Sequence, residues 1–233
     1  MNNTAEIDLS IIIVNKDSWH FLERCLDSIF EQTKGLNFEV IVVDNASTDG
    51  SIENIVQRYP QVKLICNSRN LGFAAANNIG IGIASGKFIL LLNPDTEILD
   101  NAITNTVKFM QEHDKAGIVG CKLLSHDRRI QRSVRSFPSL WNVFCESTFL
   151  YLLFPKSRLF NKYYLSYFDY SKEGQVDWVC GAYFLMKKEV IDAIGVFDEQ
   201  FFMYTEEVDF CYRARRFGYE VWYTPDGEVI HFW

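Results

Sequence analysis

No glycine stands in the turn after the first apolar run of this chain, where Asn15-Lys16-Asp17-Ser18 follows Ile11-Ile12-Ile13-Val14. A dinucleotide-binding G-x-G-x-x-G turn needs glycine there, so that backbone can approach a pyrophosphate. That class is excluded. No G-x-x-x-x-G-K-[ST] run exists, which removes the P-loop proteins, and the glycine-rich signature that nucleotidyltransferases place after their first strand is missing too. The run Gly80 to Gly86 is glycine-rich but precedes a strand, and reads as a helix C-terminus and turn. None of the six cysteines forms a CxxC pair, so they are expected as buried free thiols in a reducing compartment. Met1 to Asp8 is polar and Leu9 to Val14 is too short for a signal peptide. No stretch approaches the ~20 apolar residues of a membrane span, and a cytoplasmic location is expected. Positive charge is also short. A net charge of -7 argues against a nucleic-acid partner. An acidic protein that binds an anionic nucleotide needs a cation, which makes a metal worth seeking.

What is present is enough apolar material for a sizeable core, 48% of 233 residues, in a length that suits one domain spanning 1–233. Ile11 to Val14, Phe38 to Val43, Val62 to Cys66 and Phe88 to Leu92 are short, doubly apolar runs that predict buried strands. Between them, helical spacing appears at Phe21 to Phe30, with Asp17 or Ser18 as its cap, at Ile52 to Tyr59, and at Phe73 to Ala84. Strands alternating with helices predict an α/β fold with a mostly parallel sheet, and ligands at the carboxyl ends of the strands. That rule selects Asn15, Asp44, Asn67 to Arg69 and Asn93 to Asp95. The second half is less regular. It predicts a helix at Asp100 to Gln111, a strand at Gly117 to Leu124, an aromatic segment at Phe137 to Tyr170 and one long strand at Val176 to Met186. A helix near Lys188 to Ile194, an acidic loop at Asp198 to Glu207, a helix to Phe217 and a strand at Glu220 to Tyr223 follow.

Three constellations carry chemistry. Asn93-Pro94-Asp95 places a carboxylate at the tip of a buried strand, suited to a hard cation on a diphosphate, although an ordinary Asx turn has the same make-up. Asp44 holds the same position on its strand, placed to accept from a base or ribose or to cap the next turn. Glu206, Glu207 and Asp209 lie among Phe201, Phe202, Met203, Tyr204 and Phe210. Carboxylates beside large apolar groups are candidates for a raised pKa and general-base work; pairing with a helix N-terminus is the alternative. His231 is one more candidate ligand, beside a structural reading.

In these residues the chain resembles the family-2 glycosyltransferases of GT-A fold, particularly the bacterial rhamnosyltransferase-like branch. The matching stretches are Ser10 to Asn15, Val42 to Gly50, Arg69 to Asn78, Leu91 to Asp95, Gly181 to Met186, Phe201 to Tyr204 and Glu206 to Phe210, in order across nearly the whole chain. The resemblance implies a Rossmann-like, mostly parallel sheet flanked by helices, with a nucleotide-binding half (1–99) and a smaller mixed acceptor-side half (100–233). It assigns Asp44 to the base or ribose and lines the nucleotide pocket with Asn15, Arg69 and Asn77. Asn93 and Asp95 fall on the acidic positions of the D-x-D motif, with Asp95 and His231 as ligands of Mg²⁺ or Mn²⁺. Glu207 falls on the catalytic base, with Glu206 beside it.

Two departures stand out. Asn93 removes one formal charge from the metal site, and Glu at 207 lengthens the reach of the base. Asp209 and Arg213 read as a structural ion pair at i,i+4. The implied function is an inverting transfer of a sugar, with rhamnose as candidate, from a dTDP- or UDP-sugar to a glycan or lipid-linked acceptor in cell-surface polysaccharide synthesis. Phe137 to Tyr170, with Lys156, Arg158 and Lys162 at its edge, is suited to peripheral membrane contact, with a helix packed on the sheet, or a crystal or homodimer contact, as the alternative. Arg132 and Arg135 just before it are placed to meet a diphosphate or to stay solvated. Two rival readings are a nucleotide-sugar-binding domain without turnover and a fragment of a larger synthase. The first draws on the C-terminus, two residues past His231, where relatives usually run on.

Overall fold

Alternate residues of the first and fourth apolar runs face opposite ways, and both directions are buried. Leu9, Ile11 and Ile13 join Phe88, Leu90 and Leu92 in one core, while Ile12 joins Ile89 and Leu91 in another. That is the signature of strands covered on both faces. The structure, a computed structural model, describes residues 6–232. Its first half runs β1 (Leu9–Asn15), α1 (Trp19–Gln32), β2 (Phe38–Asp44), α2 (Ser51–Arg58), β3 (Lys63–Cys66), α3 (Phe73–Ile83), β4 (Phe88–Leu92) and β5 (Thr96–Ile98). The second half runs α4 (Ala102–Glu112), β6 (Ala116–Leu124), β7 (Val134–Arg135), α5 (Leu140–Ser147), α6 (Leu150–Leu153), β8 (Gly174–Val176), β9 (Trp178–Val179), β10 (Tyr183–Lys187), α7 (Lys188–Ile194), α8 (Glu206–Arg216) and β11 (Glu220–His231).

Strands β3-β2-β1-β4 are parallel, as the alternation with helices requires, and continue through β10, β6, β11 and β5, with β8 paired to β11. The added part is mixed: β10 lies antiparallel between β4 and β6, whereas β11 is parallel to β6 and antiparallel to β5. Helices α1, α2 and α4 bury one face of the sheet through residues such as Leu26, Ile55 and Val107. Helices α3, α7 and α8 bury the other, through Ala76, Val190 and Phe210. The α/β fold with a Rossmann-like parallel half and a mixed remainder is the one the sequence implied.

Four expectations are corrected. The long strand at Val176 to Met186 is three pieces, because the chain changes partner twice: Gly174–Val176 pairs with β11, Trp178–Val179 with β7, and Tyr183–Lys187 with β4 and β6. Asp177, at the first break, accepts from the Phe137 N–H and pairs with Arg215. The last strand runs to His231 rather than stopping at Tyr223, past a register shift between Thr224 and Glu228. The start of α1 is not capped by Asp17 or Ser18: the Ser18 hydroxyl bonds back to Lys16 O, and the Trp19 N–H is taken by Asp49 Oδ2 at 2.8 Å. Among the cysteines, Cys25, Cys121, Cys145 and Cys211 are buried free thiols, but Cys66 at the end of β3 is exposed. Among the described residues no helix is long and apolar enough to cross a membrane.

Candidate active site

The carboxyl ends of β1, β2 and β4 and the start of α8 open on a cavity of about 530 Å³. Its lining includes Lys16, Asn45, Asn70, Asn93, Asp95, Gly181, Met203, Tyr204, Glu206 and Glu207. Four predicted site residues, Asn93, Asp95, Glu206 and Glu207, therefore share one space.

Asn93 and Asp95 sit in the turn between β4 and β5. The turn is held from both sides: the Asn93 N–H donates to Ala182 O at 3.1 Å, and the Thr96 hydroxyl donates to Asn93 O at 2.8 Å. Pairing of β5 with β11 sets His231 opposite Thr96 and so beside Asp95. Nε2 of His231 lies 3.5 Å from Asp95 Oδ1, buried and without a hydrogen-bond partner. An orphaned imidazole nitrogen facing a carboxylate is a donor set that fits a divalent cation. Among the described residues no group of three or more His, Cys, Asp or Glu converges, so protein ligands would be these two. That suits a cation that takes its remaining ligands from phosphate and water.

Glu206 and Glu207 open α8, where free backbone N–H groups favour acids. Glu206 is 4% exposed, and burial raises its pKa. Glu207 is raised to about 7, first by burial and then by the charge of Glu206, with the N–H groups of Glu207, Thr205 and Gly181 pulling the other way. One carboxylate oxygen of each residue is buried without a partner. A carboxyl with a pKa near neutrality in a cavity is what general-base catalysis requires. Asp209 turns away and pairs with Arg213 at 2.7 Å, the i,i+4 ion pair expected of it; Arg213 also donates to Ile194 O and Val196 O.

The other predicted residues lie outside this lining. Asn15 and Asp44 are register partners on adjacent strands, both fully buried, and bond each other: Asn15 Nδ2 donates to Asp44 Oδ1 at 2.8 Å. Asp44 Oδ2 accepts from the Ser47 N–H at 2.8 Å. Thus Asp44 holds the β2 turn, and its neighbour Asn45 faces the cavity. Asn77 is 1% exposed, donates to Phe73 O one turn back and is not part of the lining. Arg69 is exposed on the loop after β3, next to Asn70, which does line it. Sequence reasoning missed Lys16, Asn45 and Asn70 by one position each, although the rule about strand ends pointed to their turns.

Residues 10–195 match the glycosyl transferase family 2 sequence profile. The chain is 30% identical over 234 residues to the N-acetylglucosaminyl-diphospho-decaprenol L-rhamnosyltransferase of Mycobacterium tuberculosis, covering 96% of this chain and 75% of that one. It is 25% identical to the rhamnosyltransferase WbbL of Escherichia coli, over 95% and 82% of the two chains. Among solved structures it is similar to GalNAc-T7 with UDP, GalNAc and Mn²⁺, with a TM-score of 0.72 at 14% identity, covering 99% of this chain and 45% of that one. It is also similar to the mannosyltransferase PcManGT of Pyrobaculum calidifontis with GDP-Man and Mn²⁺, with a TM-score of 0.66 at 20% identity, covering 98% and 57%. The chain thus spans about half the length of these solved structures. A sheet of this order, a cavity at its carboxyl edge and a match over most of the length agree: the chain belongs to glycosyl transferase family 2 and has the GT-A glycosyltransferase fold.

Proposed function

We propose that this glycosyltransferase acts as one domain that moves a hexose, with L-rhamnose as the first candidate, from a dTDP- or UDP-linked donor to a lipid-linked glycan, with inversion. The observation that carries the mechanism is the shared cavity: Glu207, with its pKa raised to about 7, opens onto the same space as Asn93 and Asp95. Glu207 takes the proton of the acceptor hydroxyl as that oxygen attacks the anomeric carbon. No covalent sugar-enzyme intermediate is needed. Glu206 keeps the proton affinity of Glu207 high and orients the acceptor or the loop. Asp95 and His231 would hold a divalent cation, Mg²⁺ or Mn²⁺, with Asn93 beside them. When bound, that cation offsets the charge of the leaving diphosphate. Lys16, Asn45 and Asn70 line the cavity where a nucleotide would lie, with Asp44 and Asn15 shaping the turn beneath. The choice of sugar follows both rhamnosyltransferase relatives, and the lipid-linked acceptor follows the decaprenol-linked one of Mycobacterium tuberculosis alone.

A lipid-linked acceptor calls for a membrane-facing surface, and α5 and α6 supply one. Leu140, Trp141, Phe144, Phe149, Leu153 and Phe154 are all exposed. Residues 128–168 carry seven Arg and Lys against Glu146 alone, in a chain of net charge -7. Apolar side chains with a basic surround match an anionic bilayer surface, which supports a reading of the enzyme as peripheral on the inner face of the membrane. The direct test is incubation with dTDP-rhamnose, UDP-glucose and UDP-N-acetylglucosamine, each with a lipid-diphosphate-linked acceptor. Transfer from one donor, lost on chelation of divalent cations, is the expected result. Absence of transfer from any nucleotide sugar would overturn the reading.

A further inference from the structure

Neither Gln131 nor His231 lines the cavity itself, but the Gln131 amide holds both ends of His231, which lies behind the lining residue Asp95. Gln131 Nε2 donates to the His231 carbonyl at 2.8 Å, and Gln131 Oε1 lies 2.9 Å from His231 Nδ1. A backbone carbonyl only accepts, so the amide nitrogen must face it and the amide oxygen must face the ring. That oxygen also only accepts, so Nδ1 must carry a hydrogen. A neutral ring protonated on Nδ1 has a bare lone pair on Nε2. This is the nitrogen found buried, unpartnered and 3.5 Å from Asp95 Oδ1, in a side chain that is 8% exposed. Gln131 is itself fixed from β6: its N–H donates to Leu123 O at 2.9 Å, and Ile130 bridges to Leu124. Leu124 in turn lies beside Ile230 in the parallel pairing with β11. The sheet therefore sets the spacing between amide and imidazole.

We propose that Gln131 is a positioning residue that locks His231 as the Nδ1–H tautomer and so presents the Nε2 lone pair toward Asp95 as a ready ligand for a divalent cation. The proposal rests on the reading of Asp95 and His231 as metal ligands. Partners of a ligating histidine's second nitrogen fix its tautomer, and their loss weakens metal binding by about 10–100-fold.

Long-range ¹H–¹⁵N correlations of the imidazole report the tautomer in metal-free, ¹⁵N-labelled protein at about pH 8, where an ordinary imidazole is neutral. Calorimetry with Mn²⁺ in the presence of UDP reports affinity. Wild-type protein should show hydrogen on Nδ1 of His231. Gln131→Met, which neither donates nor accepts there, should lose that bias and bind Mn²⁺ about 10–100-fold more weakly. Gln131→Glu still accepts from Nδ1–H and should keep the tautomer, although its second oxygen no longer donates to the His231 carbonyl. A wild-type ring bearing hydrogen on Nε2 overturns the proposal, and so does lost affinity in Gln131→Met with the tautomer unchanged. Unchanged affinity in Gln131→Met beside a loss in His231→Ala overturns the proposal alone. Unchanged affinity in both overturns the metal reading of His231, and the proposal with it.

Discussion

The backbone N–H of Phe73 donates to the carbonyl of Phe202 at 2.7 Å, tying the first turn of α3 to the loop that carries Met203 and Tyr204 into the cavity. Gly72 makes the contact feasible. Its φ of 84° and ψ of -180° belong to a region open only to glycine, and a Cβ there would run into the Phe202 carbonyl.

Gly72→Ala should therefore cost about 1–3 kcal/mol of stability from backbone strain and displace the 201–205 loop. Urea unfolding measures the first effect. Faster proteolysis of that loop, with transfer activity lost and the far-UV spectrum kept, reports the second. A variant of wild-type stability and activity would show that the loop does not need this seat.

Glu207→Gln keeps size and hydrogen bonding but takes no proton. Turnover should fall by about 10²–10⁴-fold with donor affinity nearly unchanged, and Glu206→Gln should cost less. A dead Glu206 variant beside an active Glu207 variant would move the base by one residue. Full activity in both would remove this acidic pair from the chemistry.

The raised pKa of Glu207 fixes two pH dependences. As a base it works only once deprotonated, so turnover should rise with pH through about 7 and then level off. In stability the sign is the reverse of an ordinary carboxylate: the folded protein binds the extra proton between the unfolded value, about 4.3, and about 7. Stability attributable to this group is therefore lost as pH rises through that window. Glu207→Gln should accordingly be more stable than wild type above neutrality, by about 1–3 kcal/mol. Parallel denaturation curves near pH 5 and pH 8 test this, and an equal difference at both would refute it.

Asp95→Ala should abolish the dependence of UDP or dTDP binding on Mn²⁺ while leaving the fold intact. The backbone bond from Phe232 N–H to Asp95 O survives the change, and Asp95 belongs to neither hydrophobic core. Calorimetry with and without Mn²⁺ reads it out. Equal nucleotide affinity for wild-type protein in EDTA would end the metal role.

Trp141 and Phe144 stack on each other at 5.5 Å but are 41% and 50% exposed. Replacing both with serine should leave thermal stability nearly unchanged and reduce co-sedimentation with vesicles of anionic lipid. If the double variant unfolds instead, α5 is core and the membrane surface lies elsewhere.

Much of the parallel half was legible because its strands are short, apolar on both faces and separated by helical spacing. The turn tips followed from the same pattern, which is how Asn93 and Asp95 were selected; Glu206 and Glu207 came instead from their acidic cluster and the family resemblance. The pattern failed where an apolar run changes partner. From Gly174 to Lys187 the chain pairs in turn with β11, β7, and β4 with β6, and nothing in residue type marks the breaks except Asp177 and the pair Gly181-Ala182. It failed also at α1, whose first N–H is satisfied by Asp49, thirty residues away.

The order of elements through β4, the burial of both sheet faces and the family were readable along the chain, since these depend on local period and on motifs in line. Which polar residues meet depends on how the strands pair. Asn15 and Asp44 bond because parallel register sets them side by side at the ends of two strands. His231 faces Asp95 because β11 pairs with β5, and Gln131 grips its other nitrogen because β6 lies against β11. Register across a sheet joins residues distant along the chain, and a period of two or 3.6 residues carries no information about which strands will be neighbours.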